Sequence, residues 1–388
     1  MSTNAAVGTG RDVFIISNSV DELGGVTTWS HQLARMLTER GHSVHVLGIC
    51  DTDTPADLGP NLPYPTTTLH PGKVPSPFHP RGVKQRLKVS GYARNAQREA
   101  AIRGMKTKLE ALFAAARPGA MIIVTQVWAM EFVRLADRRN IPLIGMSHES
   151  YEYSKDSSRF ARVKKYYPEA DRLLLLTQED ADLWILEKLN NVGFMPNPLP
   201  VWPEVPSKRE TKTVACIGRL DDQKGIDMLL DAWAVAAPQA PGWTLKLYGR
   251  GEDEAELKAQ CTRLGLDGSV EWMGQTSDVP GALRDSSVFV QSSRGEGFPL
   301  ALLEAMAFAV PCAAFDCAPG VREIIRDGVD GLLAAPGNTA ELARQLVRLT
   351  SNQDLRDRMG EAARVNVARY SKETILEKWE ELFALLER

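Results

Sequence analysis

Cysteine is scarce in this chain, and what there is does not pair. The five cysteines, Cys50, Cys216, Cys261, Cys312 and Cys317, are odd in number and scattered, three of them in or beside runs that read as buried strands. Such usage fits reduced thiols in a cytoplasmic protein and excludes a disulfide frame or a zinc cluster. Long apolar runs are absent too: none reaches the roughly eighteen residues that a spanning helix needs. Met1 to Arg11 is small and polar, lacks the basic-then-apolar pattern of a leader, and is expected to be disordered. The site of action is then expected in the cytoplasm, extending to the inner face of the membrane. Neither sign of charge dominates: 46 Lys and Arg face 49 Asp and Glu, a net charge of −3, so the molecule as a whole does not read as a nucleic-acid binder. No serine stands in a G-x-S-x-G elbow and no cysteine pairs with a histidine, so nucleophilic triads are not supported. The one D-x-D, Asp51-Thr52-Asp53, follows a strand and heads a proline-rich loop. It reads as a chance match, and no metal site is expected.

What is present is alternation. At 388 residues and 44% hydrophobic, the chain exceeds what one core covers, and two domains are the default. Asp12 to Ser17 and Ser43 to Gly48 read as strands, with Val26, Trp29, Leu33 and Leu37 at helical spacing between them. Strand, turn, helix, strand is the opening of a parallel sheet. Further strands are read at Met121 to Thr125, Pro142 to Met146 and Arg172 to Thr177, with helices over Trp128 to Arg138 and Gln178 to Lys188. Leu58 to Pro80, rich in Pro, Thr and Gly, reads as one long irregular segment. A basic tract follows: Arg81, Lys84, Arg86, Lys88, Arg94, Arg98, Arg103, Lys106 and Lys108 against Glu99 and Glu110. Val83, Leu87, Tyr92, Ile102, Met105, Leu109 and Leu112 give it a loose helical period. A solvated face is one account; an anionic partner, either a phosphate-bearing acceptor or an acidic membrane surface, is the other.

Pro196 to Pro203 continues neither regular structure, which puts a hinge at 198–210 between a first domain over 12–197 and a second over 211–370. The alternation then restarts with strands at Thr213 to Gly218, Trp243 to Tyr248 and Val270 to Met273. Helices are read over Ile226 to Trp233, Glu252 to Leu264 and Val279 to Leu283. Asn338 to Leu386 is helical throughout.

The chemistry gathers at strand ends. After the strand Ser287 to Gln291 comes the corner Arg294-Gly295-Glu296-Gly297-Phe298-Pro299, with Pro299 where a helix can begin. Free backbone N–H groups and the positive end of a helix dipole there suit a phosphate or sugar oxygens. Glu296 on the corner and Glu304 in the helix can grip two ends of one polyhydroxylated ligand; the alternative is a helix cap and a solvated or Arg-paired acid. Glu304 lies among Leu302, Leu303, Ala305 and Met306, so a charge there needs a partner. Arg219 and Lys224 bracket a turn that opens a helix, and two cations with a helix N-terminus can converge on one diphosphate without a metal. Gly24-Gly25 leaves room for a ligand at the first helix, or is a plain tight turn. Gly249-Arg250-Gly251 lacks the third glycine of a dinucleotide fingerprint. His148, ending a first-half strand, faces a cleft if ligands bind at the carboxyl ends of strands, or is a hydrogen-bonded structural histidine.

The run Glu296 to Glu304 resembles the paired-glutamate signature of retaining glycosyltransferases of family four. Phe315-Asp316-Cys317-Ala318-Pro319-Gly320-Val321-Arg322-Glu323 and Asp327 to Leu333 are also similar to that family. The likeness is dense from about Val214 to Tyr370 and thinner before. It implies an α/β chain of GT-B fold: two facing Rossmann-like domains with parallel sheets and a deep cleft. A last helix, 371–388, crosses back to the first domain through Trp379, Leu382, Phe383 and Leu386. The activity implied is transfer of a hexose or N-acetylhexosamine from a nucleotide sugar, UDP-linked, to an acceptor hydroxyl, with retention and with no metal or other cofactor. A nucleotide-sugar epimerase and a non-enzymatic relic of the fold are the alternatives. By position the resemblance implies that Arg219 and Lys224 hold the diphosphate, Glu296 sugar hydroxyls and Glu304 the ribose, with backbone donors at Gly297, Phe298 and Leu300. Gly249 and Met273 flank the base, Gly24 and Gly25 face diphosphate and acceptor, and His148 is the active-site histidine. The stretch from His148 through Arg159, Arg162, Lys164 and Tyr167 to Val192 is similar to enzymes that glycosylate polyol-phosphate wall polymers. A glycolipid or small natural product is the other acceptor. The partners expected are thus a nucleotide sugar, an anionic or hydroxylated acceptor and a peripheral membrane contact, with no nucleic acid.

Overall fold

The computed structural model describes residues 10–80 and 89–387. Its first sheet holds β1 (Asp12–Ser17), β2 (Ser43–Cys50), β3 (Thr66–His70), β4 (Met121–Val124), β5 (Leu143–Met146), β6 (Arg172–Leu175) and β7 (Val192–Phe194). They lie in the order β3-β2-β1-β4-β5-β6-β7, every pairing parallel. The second sheet holds β8 (Thr213–Ile217), β9 (Thr244–Tyr248), β10 (Val270–Gly274), β11 (Val288–Gln291), β12 (Cys312–Phe315) and β13 (Gly331–Ala334). Its order is β10-β9-β8-β11-β12-β13, again wholly parallel. The expected pair of parallel-sheet α/β halves is therefore present. Strands such as Met121-Ile122-Ile123-Val124, buried at all four positions, are too short for a buried helix and apolar on both faces, as a sheet covered by helices on each side requires. In each sheet the strand order reverses beside its first strand, between β1 and β4 and between β8 and β11. A crevice opens outside the carboxyl ends at such a point.

Several elements differ from the reading of the sequence. Leu58 to Pro80 is not irregular throughout: Thr66 to His70, a β-branched run between two prolines, pairs with β2 as the edge strand, where a flanking proline breaks no ladder. The helix expected over Trp128 to Arg138 spans only Val127–Val133 and is capped at Arg134; beyond it the chain turns, and Arg139 and Asn140 take positive φ of 51° and 66°. Pro299 is not the first helical residue. It precedes the helix Leu300–Ala307 with extended backbone, ψ 109°, and no side chain caps that helix. Glu296 is therefore not a cap.

Among the described residues, four cations of the basic tract are occupied within the chain. Arg81, Val83, Lys84, Arg86, Leu87 and Lys88 lie outside the described residues. In the helix Val89–Ala114, Ala101, Met105, Leu109 and Phe113 face the core, while Tyr92 points outward. Arg98 pairs with Glu131 at 2.7 Å, Arg103 with Glu99 and Lys106 with Glu110, and Lys108 donates to the Leu69 carbonyl at 2.6 Å. No helix among the described residues is long and apolar enough to cross a membrane.

One apolar cluster joins the halves. It runs from Trp29, Leu33 and Ile144 through Phe298, Leu302 and Met306 to Ile375, Trp379 and Phe383. The last helix, Lys372–Leu386, thus lies against the first helix, Gly25–Glu39: Trp379 stands 6.3 Å from Trp29 and Arg40 pairs with Glu380 at 3.0 Å. Its buried residues are Ile375, Leu376, Trp379 and Phe383, with Leu382 and Leu386 only partly covered. Between the halves Arg322 reaches Glu179 at 3.0 Å while also holding Asp316 at 2.8 Å.

Candidate active site

The second sheet's reversal point presents two loops, and hydrogen bonds lace them together. After β8, the turn Asp222–Lys224 is closed by Asp221, whose side chain accepts from the Lys224 N–H at 3.2 Å. Gly225 then turns left-handed, φ 59°, directly under the Ser292 carbonyl, where any Cβ would collide. After β11, Ser292 Oγ donates to the Lys224 carbonyl at 3.0 Å and Arg294 pairs with Asp227 at 2.7 Å. Gln223 Nε2 donates to the Gly295 carbonyl at 3.0 Å.

This lacing aims Lys224 at Glu296. Lys224 Nζ donates to Glu296 Oε1 at 2.6 Å, and Ser293 Oγ donates to the same oxygen at 2.6 Å. Glu296 Oε2 takes neither bond. Arg219, by contrast, is exposed and folds back on Asp221 at 3.0 Å.

Facing this wall across the interdomain cleft is the loop after β5. The strand is seated by Tyr167, which packs over Gly145 where any larger residue would clash and whose Oη donates to the Met146 carbonyl at 2.8 Å. Beyond it, the His148 ring lies edge-on to Trp29 with centroids 4.7 Å apart. Its Nε2 is buried with no hydrogen-bond partner among the described residues. Burial, aided by the charge of Arg159, pushes the imidazole down to about 3, so the ring is neutral near pH 7. The His148 carbonyl sits where a Cβ of Gly297 would be, and the Gly297 carbonyl where a Cβ of Gly320 would be. Gly297 thus lets the halves touch main chain to main chain, and Gly320 lets two loops of the second half do the same.

Between the walls lies a cavity of about 380 Å³. Of the residues singled out in the sequence, it is lined by Gly25, His148, Lys224, Glu296, Gly297, Phe298 and Leu300. Gly24, Arg219, Gly249, Met273 and Glu304 do not line it. Gly249, φ 152°, is packed against the Gly218 carbonyl, and Met273 is exposed. Glu304 is half-buried on the helix Leu300–Ala307, and burial, with no charge or hydrogen bond to oppose it, pushes its carboxyl up to about 7. Sequence reasoning missed Asn197, Gln291 and Ser293, which also line the cavity. Asn197 Oδ1 and Gln291 Nε2 are buried there without partners. Gln291 carries a signal in hindsight, as a polar residue closing an otherwise apolar strand.

No group of His, Cys, Asp and Glu suited to a metal ion occurs among the described residues. Asp53 of the D-x-D pairs with Lys73, and Asp51 accepts from the Gly72 N–H at 2.6 Å.

Two family models match the chain, one described as glycosyl transferases group 1 over residues 202–366 and one as a glycosyl transferase 4-like domain over residues 24–188. The chain is 30% identical over 364 residues to the phosphatidyl-myo-inositol mannosyltransferase of Mycobacterium leprae, covering 91% of this chain and 90% of that protein. It is 34% identical over 236 residues to an uncharacterized glycosyltransferase of Haemophilus influenzae, covering 60% and 67%. Among solved structures, a mutant of TarM from S. aureus, in complex with Fondaparinux, alpha-GlcNAc-glycerol and UDP, superposes with a TM-score of 0.76 at 17% identity. That match covers 96% of this chain and 99% of that one, and the likeness is one of fold.

Proposed function

Because this chain belongs to the glycosyltransferases of group 1 and is a hexosyltransferase of GT-B fold, we propose that it moves a hexose or N-acetylhexosamine from a UDP-linked donor to an acceptor hydroxyl with retention at the anomeric carbon. The donor lies in the cavity between the halves. Its diphosphate meets Lys224, Arg219 turning in from Asp221, and the free first N–H groups of the helix Leu300–Ala307. Glu296 Oε2 accepts from sugar hydroxyls and Glu304 from the ribose. Gly249 and Met273 stand toward the base, and Gly24 and Gly25 toward the diphosphate and the acceptor. Neutral His148 offers Nε2 to the sugar without adding charge beside the leaving group.

The bond from the anomeric carbon to the diphosphate breaks, the acceptor oxygen bonds to that carbon on the same face, and a diphosphate oxygen takes the acceptor's proton. Fixed positive charge and main-chain dipoles meet the charge that develops on the leaving group, so the reaction runs without a metal or other cofactor. The acceptor enters from the first domain, 12–197, carried by an anionic or hydroxyl-rich glycopolymer met in the cytoplasm at the inner face of the membrane. Residues 198–210 act as the hinge to the donor domain, 211–370.

The observation that carries this reading is the Lys224–Glu296 pair at 2.6 Å, facing an unpartnered His148 Nε2 across the cleft. Nucleotide release is measured with a panel of nucleotide sugars, and product configuration by NMR. Lys224→Ala is expected to lower turnover by about 10²–10³, the range for removing one donor to a developing oxyanion. Unchanged turnover and donor affinity, an inverted product, or activity lost to a chelator and restored by manganese would each overturn it.

A further inference from the structure

Two more cavities open along the first half, and they share a wall. The larger, about 640 Å³, lies outside the carboxyl ends of β1 and β4, at the reversal point of the first sheet. Asn18, Gln126, Trp128, Ser147 and His148 bound it. The smaller, about 410 Å³, lies beyond Trp128 and is bounded also by Asn18, Thr52 and Lys73. Trp128 and Asn18 belong to both, and His148 and Glu149 join the larger to the cavity of Lys224 and Glu296. The three spaces form one run, from Glu296 past His148 and Trp128 to the loop after β2.

Polar atoms along this run lack partners. Ser147 Oγ, on a residue 5% exposed, Asn18 Oδ1 and His148 Nε2 are buried without a hydrogen bond among the described residues. A buried polar atom left without a partner is costly, so three along one groove point to a hydroxylated occupant. Trp128 is the apolar member, half-buried, its plane held by an edge contact to Phe132 at 4.9 Å and 73°. An electron-rich indole face ringed by polar atoms suits a sugar ring, whose C–H face rests on the indole while its hydroxyls reach outward. An acyclic polyol has no such face. Beyond Trp128 the lining turns to hydroxyls and charge, with Thr52, Thr54 and the Lys73–Asp53 pair.

We infer that the groove takes its acceptor as a chain of sugar rings: the ring that receives the new sugar beside His148, the next stacked on Trp128, a third against Thr52 and Lys73. The inference rests on the donor occupying the cavity of Lys224 and Glu296. Trp128 then determines specificity by acceptor length.

The test compares kcat/KM for mono-, di- and trisaccharides of glucose, galactose, mannose and N-acetylglucosamine, and for ribitol-phosphate oligomers, using the donor that most raises the melting temperature. Efficiency is expected to rise about tenfold from one ring to two, the scale of a good aromatic contact with its buried area. Trp128→Ala removes that rise and Trp128→Phe keeps part of it. Lys73→Ala, a surface change that does not threaten folding, removes only the gain from two rings to three. Equal use of one and three rings overturns the proposal, as does a Trp128→Ala protein that keeps the gain, a Lys73→Ala protein that keeps the third-ring gain, or preference for ribitol-phosphate oligomers. A donor that is neither bound nor hydrolysed before any acceptor is added counts against the donor site instead. A donor that binds while no sugar ring is accepted overturns the groove alone.

Discussion

At the scale of single residues, burial sets the behaviour of two ionisable groups in opposite senses. Glu304 holds its proton in the folded chain up to about 7, against 4.5 when unfolded. The folded state therefore binds the extra proton in that window, and stability falls as pH rises through it. Glu304→Gln, neutral at every pH, should lose this slope in melting temperature measured from pH 4.5 to 7.5. The comparison is made against wild type, because neutral His148 contributes the reverse slope between about 3 and 6.5. If ribose hydroxyls donate to Glu304, they favour the ionised form, so affinity for a UDP-sugar should climb toward pH 7 and level off above it, as calorimetry would read. The two glycines of the corner separate just as sharply. Gly297→Ala drives a methyl into the His148 carbonyl and should cost about 1–3 kcal/mol of the closed cleft. Gly295→Ala meets only the Tyr153 ring, at 3.4 Å, and should be tolerated in the same thermal and kinetic assays. The corner itself was legible in the sequence, as a glycine-bracketed turn between a strand and a helix. That Gly297 makes room for the other half's main chain was not, since nothing local records what packs against it.

At the scale of elements, the strands and the corners that follow them were readable because fully buried parallel strands are short β-branched runs bounded by turn residues. The strands β3, β7, β12 and β13 were not: Thr66-Thr67-Thr68 and Val192-Gly193-Phe194 carry too little apolar pattern to stand out from a loop, and the small residues of Cys312-Ala313-Ala314-Phe315 and Gly331-Leu332-Leu333-Ala334 carry no β-branched signal. Lys224 and Glu296 could be paired by chemistry, 72 residues apart, whereas Gln291, Asn197 and Ser293 reach the cavity only through the fold. The lacing between the loops after β8 and β11 has its own consequence. Arg294 is partly exposed in its pair with Asp227, so Arg294→Ala should cost little stability, about 0.5 kcal/mol. It also donates to the Asp222 carbonyl at 2.7 Å and so holds the turn that presents Lys224. Donor KM should therefore rise several-fold while the melting temperature barely moves. A large loss of stability would show that the pair holds the fold rather than the turn.

At the scale of the molecule, the halves meet through polar contacts such as Arg322 to Glu179 and the Gln178 N–H to Glu323 at 3.3 Å, and through the apolar cluster that ends in the last helix. Trp379 is wholly buried there, and Trp379→Ala should cost about 3–5 kcal/mol in chemical denaturation. Trp379 backs Trp29, and Trp29 backs the His148 ring. The His148 imidazole is thus propped, two rings deep, by the helix Lys372–Leu386. Trimming that helix back past Trp379 would therefore withdraw the ring's support and loosen the joint between the halves in one cut.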